Sequence, residues 1–451
     1  MVPYDPLDAA TPGTGQPYPK SYWAATAGAP GADDGPAPAQ ADTEVAIIGG
    51  GYTGLSCAYF LARTFGIHAL VLEANRPGWG CSGRNGGFAR AAIGRHGPAR
   101  MIELWGRNVA RRVFAQSLAA VNNVRELIRD GGIECDALAA GHLKIAHRAS
   151  RAAALRTEAE VLQREFEYPA EFLPAAKLAA EHIAGEEAHG ALRIPDAVAV
   201  HPLKLALGML RLARGAGAKV HSASPVLNWR KQGAVHLLST PYGAVRAKTV
   251  VLATNGYTPQ HLHHCVHGAL LPILSHIIVT RPMTTAEKSA TGFHTRHVLT
   301  DTRKLLHYWR RLPDDRILFG GRGPITESAS GHAQVREFLL GGLRAKLPAL
   351  RDITVDYDWH GWVCYTADVI PHVHHAADDS SVHYALGYVG SGVSYSLYAG
   401  RLLAERIAGH APAPAVIPST ATPLPRFPLA RMLRTGQRIA YWWYRHADNR
   451  D

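Results

Sequence analysis

Apolar residues along this chain come in two arrangements, short solid runs and longer stripes of helical period. EVAII (44–48) is a solid run, as in a strand with both faces buried. GGGYTG (49–54) follows, and LSCAYFLARTFG (55–66) then repeats apolar positions every three or four residues, which predicts a helix. HALVLEA (68–74) predicts a second strand. Strand, glycine turn, helix and strand thus fit within about thirty residues.

The same reading extends along the chain. A long helical region is predicted over 99–130, closed by Gly131 and Gly132. GHLKIAHR (141–148) reads as a strand, 150–166 as a charged helix, and 201–220 as an amphipathic helix with a glycine exit into a strand. AKTVVLATNGYTP (247–259) is a buried strand opening into a turn. Strand-like stretches such as LSHIIVTRPM (274–283) and RILFGGRG (316–323) dominate 265–358. Residues 383–409 read as strand, glycine turn and helix.

Composition narrows the function classes. The length of 451 residues exceeds a usual single core, so two or more domains are expected. No run of apolar residues is long enough to span a bilayer, and MVPYDPLDAA lacks the pattern of a secretion signal, so a cytoplasmic location is expected. The net charge of +12 is spread out, with no Lys/Arg block interleaved with aromatics. That favours a diffuse field attracting anionic cofactors or substrates over nucleic-acid binding. Five cysteines form no CxxC, and the histidine clusters HLHHC (261–265) and HVHH (372–375) lack a matching carboxylate or cysteine pattern, so no metal site is expected.

The glycine turn carries the first chemistry. Gly49 permits the tight turn, Gly51 lets backbone approach a pyrophosphate, and Gly54 lets helix and strand pack closely. The helix N-terminus offers free N–H groups to phosphates. Glu73, ending the second strand, is placed to bind both ribose hydroxyls. PGWGCSGRNGGFAR (77–90) then makes a glycine-rich excursion, which a plain nicotinamide domain does not need. Its glycines allow close backbone approach, and Ser82, Arg84 and Asn85 can reach a pyrophosphate or a ring.

Five separated stretches together resemble the FAD-dependent amine and amino-acid oxidases of the D-amino-acid oxidase superfamily. They are VAIIGGGYTGLSCAYFLA (45–62), GCSGRNGGF (80–88), VVLATNGYTP (250–259), WHGWVCYTADVIP (359–371) and GYVGSGVSYSLYAGRLLAERI (387–407). The nearest look is to gamma-glutamylputrescine oxidases, with glycine and sarcosine oxidases further off. The resemblance implies that Gly49, Gly51, Gly54 and Glu73 hold the ADP half of FAD. Ser82, Arg84, Asn85, Gly86 and Gly87 would line the pyrophosphate and the near side of the flavin ring. Val226 would meet adenine, while Ala253, Thr254 and Gly256 would cover the dinucleotide. Gly361, of the WxG stretch, would belong to the same site. Gly390, Gly392 and Val393 would aim a helix N-terminus at the flavin. Thr366 and Asp368 are read equally as turn-fixing or functional residues.

The resemblance also sets the expected architecture, an α/β chain of mixed α+β character. A discontinuous Rossmann-like FAD-binding domain takes residues 41–134, 198–262 and 359–411. A discontinuous β-sheet-rich substrate domain takes 135–197 and 263–358. An irregular arm, 1–40, carries SYWAA (21–25) as a docking patch, and a proline-rich, then basic and aromatic tail takes 412–451.

The implied activity is two-electron oxidation of a small-molecule amine, with molecular oxygen as acceptor and hydrogen peroxide as product. Rival readings are a dehydrogenase delivering electrons to a quinone, with the tail RMLRTGQRIAYWWYRH (431–446) touching a membrane surface, and a non-enzymatic flavoprotein binding RNA. Tyr308 is expected as a wall of the substrate pocket with Arg310 behind it, and His276 as a residue of another pocket strand. Relatives that oxidise D-amino acids or glycine clamp the carboxylate with an arginine two residues after the glycine of WxG. Val363 holds that position here, which predicts an amine without a carboxylate at the oxidised carbon. Cys364 lies near the position where sarcosine oxidases tether their flavin but is displaced from it, so non-covalent FAD is expected.

Overall fold

A computed structural model describes residues 4–410 and 417–449. The run at 44–48 is the end of strand β1 (Gln40–Ile48). Its Val45 and Ile47 pack into one core cluster and its Ala46 and Ile48 into another, so both faces are buried and no polar alternation survives. Helix α1 (Tyr52–Phe65) follows, burying Leu55, Ala58 and Leu61, and stops at Gly66 in the left-handed conformation. Strand β2 (Leu70–Leu72) returns parallel to β1.

Helix α2 (Pro202–Gly215), β3 (Lys219–His221), β4 (Gly243–Leu252), β5 (Asp379–Leu386) and α3 (Gly392–Ile407) complete this half. Its eight-stranded sheet runs His372–Ala376, β5, β4, β1, β2, β3, with an antiparallel ribbon, 228–240, attached to β4. A second eight-stranded sheet takes Val355–Tyr365, Leu271–Thr280, Ile317–Arg322, Tyr308–Arg311, Val298–Asp301, His142–Ile145, Ala191–Ile194 and Glu171–Leu173 in that order.

Three features depart from the sequence reading. The boundary drawn at 359 cuts Val355–Tyr365, which belongs whole to the second sheet through its pairing with Leu271–Thr280. The helix at Pro98–Asp130 is broken by Gly106, at φ 75° and ψ 160°, conformations a side chain would resist. The tail forms a helix, Leu433–Asn449, that packs through Leu433, Gln437 and Tyr441 yet leaves Ile439 and Trp442 more than 60% exposed. The arm's docking patch is a short helix, Tyr22–Thr26, with Trp23 buried against Trp359 and His201.

Candidate active site

Ile48, the last residue of β1, pairs with Leu72 of β2 and Leu252 of β4, so three carboxyl ends open together. A cavity of about 190 Å³ lies there. Gly49, at φ 109°, could not carry a side chain: its Cβ would fall 2.8 Å from the Ala253 carbonyl oxygen. A Cβ on Gly51 would fall 2.8 Å from Ser82 Oγ. A Cβ on Gly54 would fall 2.0 Å from the Gly49 carbonyl oxygen, so Gly54 serves helix–strand packing and does not line the cavity. Ser82 Oγ accepts from Tyr52 N at 2.9 Å at the start of α1.

Glu73 is buried beside the turn, accepting from Gly50 N at 2.7 Å and Asn75 N at 3.0 Å. Burial pushes its carboxyl upward against these backbone bonds. Val226, Ala253, Thr254 and Gly256 wall the cavity from β4's side, and Gly390, Gly392 and Val393 from the uncapped start of α3. Narrow glycine backbone, two helix N-termini and an acid on the second strand fit the ADP half of FAD.

The loop after Glu73 joins this cavity to a second one of about 360 Å³. Cys81, Asn85, Val363, Val389, Gly390 and Val393 line both, so a ligand lying in the first cavity could reach into the second between them. Asn85 holds the loop shape, accepting from Gly87 N at 2.7 Å and donating to the Cys81 and Ser82 carbonyls. Arg84 stacks on Trp79 with its guanidinium carbon 4.0 Å from the ring, and donates to the Trp79 carbonyl at 2.7 Å. Two buried indoles pin the loop from behind. Trp23 Nε1 donates to the Asn85 carbonyl at 2.9 Å, and Trp359 Nε1 to the Arg84 carbonyl at 2.7 Å. Gly86 faces the second cavity against the Tyr308 ring; Gly87, at φ 75°, turns instead toward the Val200 carbonyl. Gly361 faces the second cavity beside Arg84.

Tyr308 stands in the wall of the second cavity, its Oη 2.9 Å from Ser275 Oγ, and burial pushes its phenol up to about 12. Arg90, Arg95 and Arg322 also line this cavity and not the first. Tyr365 Oη accepts from Arg95 Nη1 at 2.9 Å and from Arg322 Nη2. Burial would raise that phenol, but the two guanidiniums outweigh it and hold it below the ordinary tyrosine value. Among the described residues none of the three arginines meets a carboxylate. The carboxylates nearby are engaged elsewhere, Glu158 by Lys144 and Asp301 by Lys346 and Arg303.

Two expected pocket residues lie elsewhere. Arg310 shares the Tyr308 face of its strand but sits one step further along, outside both cavities. It donates to the Val200 carbonyl at 2.6 Å and lies over Trp23, and burial lowers its guanidinium to about 10. His276 lies between Ser275 and Ile277, which face the cavity, so the strand's two-residue period turns it to the opposite face. Thr366 donates to the Ile370 carbonyl at 2.7 Å and Asp368 faces His372 at 3.1 Å, both inside the turn. Sequence reasoning missed Ala10, Thr11 and Pro12, which close the first cavity, because nothing in the Pro/Gly/Ala-rich arm signals a ligand. Arg322 had a signal: Gly320 makes room for the Tyr308 ring, and Arg322 is two residues on along the same face.

A parallel sheet with this glycine cradle, opening into a side-chain-lined pocket, defines a dinucleotide-dependent oxidoreductase. Residues 44–406 match the family described as FAD dependent oxidoreductase (DAO). Gamma-glutamylputrescine oxidoreductase of Escherichia coli is 30% identical over 369 residues, covering 82% of this chain and 84% of that protein. Glycine oxidase of Bacillus subtilis is 24% identical over 378 residues, covering 81% and 92%. A solved glycine oxidase from Geobacillus kaustophilus has the same fold, with TM-score 0.68 at 21% identity over 85% of this chain and 99% of that one. The chain belongs to this family of FAD-dependent oxidoreductases and is an FAD-binding enzyme.

Proposed function

We propose that the enzyme oxidises a primary or secondary amine that has no carboxylate at the oxidised carbon and carries one at its far end, such as a gamma-glutamylated diamine. The observation that carries this reading is the placement of charge. Val363 occupies the family's clamp position at the junction of the two cavities, while the guanidiniums of Arg84, Arg90, Arg95 and Arg322, none of them paired with a carboxylate among the described residues, line the second cavity and not the first. A carboxylate at the junction would find valine where the clamp arginine stands, and one further out would meet Arg322 and Arg95. The E. coli relative's name points to a substrate of this shape.

FAD, when bound, supplies the two-electron acceptor. The amine becomes an imine, which water hydrolyses to a carbonyl compound and ammonia, or a primary amine where the substrate is secondary, and the two electrons and two protons pass to oxygen to give hydrogen peroxide. The chain's own residues position and desolvate. Tyr308 stays protonated and, with Ser275, shapes the wall; Arg322 meets the far end, with Tyr365 bonded behind it. FAD is held without a covalent bond on this reading, because the buried Cys364 thiol is pushed up, away from the thiolate. The test is kcat/KM by peroxide release for gamma-glutamylputrescine against glycine, sarcosine and D-alanine. The reading expects the first to win by tenfold or more, about 1.4 kcal/mol; preference for the simple amino acids overturns it.

The tail helix favours a second reading, electron delivery to a membrane quinone. Ile439, Trp442 and Trp443 are exposed on it beside Arg438 and Arg445, and exposed Arg431 and Met432 stand just before its start. A basic helix with exposed tryptophans suits an anionic membrane surface. Co-sedimentation with phosphatidylglycerol vesicles, together with reoxidation that is slow in oxygen and fast with a soluble quinone, would select it.

A further inference from the structure

Behind the second sheet lies a cluster that the flavin chemistry does not use. His276 and His360 sit directly opposite each other on the paired strands Leu271–Thr280 and Val355–Tyr365. His332 comes down on them from the first turn of the helix Ala329–Lys346. The three residues each bring a ring nitrogen to within 4.8 Å of the others.

We propose that His276, His332 and His360 form a binding site for a divalent transition-metal ion of the zinc type. Imidazole is the ligand that such ions favour, and three of them with an open position make a recurrent donor set. Both ring nitrogens of His276, which is fully buried, and both of His332 have no hydrogen-bond partner. Buried polar atoms without partners are rare and destabilising, and a metal ion would satisfy them. Carboxylates stand at the margin where ligand-orienting groups are found: Glu327 Oε1 is 3.2 Å from His360 Nε2, and Asp358 Oδ2 is 3.4 Å from His276 Nε2.

The rings must turn inward to bind. His332 and His360 are stacked at 3.9 Å, and nitrogens sharing a zinc ion lie only about 3.3–3.4 Å apart in tetrahedral geometry. His332 stands near the start of its helix and is only half-buried, which leaves it room to turn.

An ion there would clip the helix to two strands from the side facing away from the flavin cavity. Ser275 and Gly361, next to His276 and His360, face that cavity, and Arg84 Nη1 donates to the His360 carbonyl at 3.3 Å. The site is therefore a clip on the wall of the active site and takes no part in the reaction.

The test uses tag-free, FAD-loaded enzyme stripped with a chelator and then titrated with cobalt(II) and zinc(II). The proposal expects one ion per chain, visible ligand-field absorption from tetrahedral cobalt in the difference spectrum, and a higher melting temperature. His332→Gln should weaken zinc binding about a hundredfold and Glu327→Gln about tenfold, with flavin absorbance unchanged as the check on folding. His374→Gln, in a separate histidine cluster, should leave binding intact. No stoichiometric binding by the wild type, or binding that survives His332→Gln or is lost in His374→Gln, overturns the proposal.

Discussion

The cavity at the ends of β1, β2 and β4 is walled largely by glycine backbone and carries one carboxylate, Glu73. The cavity beyond Val363 is walled by side chains from strands far apart in sequence and carries Arg90, Arg95 and Arg322. In the first, recognition comes from N–H groups at helix starts, and what matters is which residues lack a Cβ. In the second it comes from charge, and what matters is which guanidiniums lack a carboxylate. The ion pairs Lys346–Asp301, Lys346–Glu187 and Arg303–Glu187 brace the second half from within. The contrast predicts that charge changes cripple one half and steric changes the other.

The largest effect should come from the brace. Asp301 is buried, and Lys346→Met takes away one of its two cations, leaving Arg303 and the backbone N–H groups of Arg303 and His307, which should lower stability by about 3–5 kcal/mol. The network's pH dependence has a definite sign. Glu187 is lowered to about 2, because its bonds to Arg303 and Lys346 outweigh burial, and Asp301 is held well below the carboxylate range by the same cations. Depressed carboxylates stabilise the fold above their unfolded pKa, and that contribution is lost as pH falls from about 4.5 toward 2. Urea unfolding at neutral and acid pH should show the wild type losing stability over this window and Lys346→Met losing less. Equal losses would mean that the brace is not what holds this half.

Next in size is Gly49→Ala. Its φ of 109° and a Cβ 2.8 Å from the Ala253 carbonyl should cost about 3 kcal/mol, more than a hundredfold in FAD affinity. The ratio of flavin to protein absorbance after gel filtration measures it. A fully yellow variant would show that the cradle is looser than its contacts imply.

The same contrast explains what the sequence disclosed. The first cavity takes its glycine turn and its acid from one contiguous stretch, 44–90, whose glycines, acid and periodicity each carry a mechanism that can be read locally. The second depends on which face of a strand meets the cavity. For Leu271–Thr280 both faces are largely buried, so no polar alternation reveals that Ser275 points in and His276 out. Arg310 is hidden for a related reason: it shares the Tyr308 face, but the space beside it is filled by Trp23 from an arm nearly three hundred residues away. Val363 stands out in the sequence because it departs from a local motif.

Arg322→Met probes the charge of the second cavity directly. Losing a charge-assisted bond to a substrate carboxylate should lower kcat/KM by about 2 kcal/mol, roughly thirtyfold. An amine of the same length without the carboxylate should be oxidised equally by both enzymes. If both substrates lose alike, Arg322 only supports Tyr365 and the carboxylate binds elsewhere.

The smallest effect is also the most specific. Hydride loss requires the neutral amine, so the rate of anaerobic flavin reduction should rise with pH through the pKa of the bound amine and then level off. Guanidiniums without carboxylate partners disfavour a second positive charge nearby, so the bound amine should titrate below its value in water. Removing one of them, in Arg95→Gln, favours the ammonium form, which moves the midpoint upward and slows reduction at neutral pH. Arg95 is exposed, so solvent screens it and the shift should be only about half a unit, or 0.7 kcal/mol. The shift should shrink further in high salt, whereas the plateau rate at alkaline pH should stay the same, because Arg95 lies outside the junction where the reacting carbon sits. Stopped-flow reduction across the pH range, at low and high ionic strength, resolves all three expectations. A midpoint that stays put in Arg95→Gln would mean that the titrating group lies beyond the reach of this charge, and one that does not follow the basicity of the amine supplied would mean that the group belongs to the protein and not to the substrate.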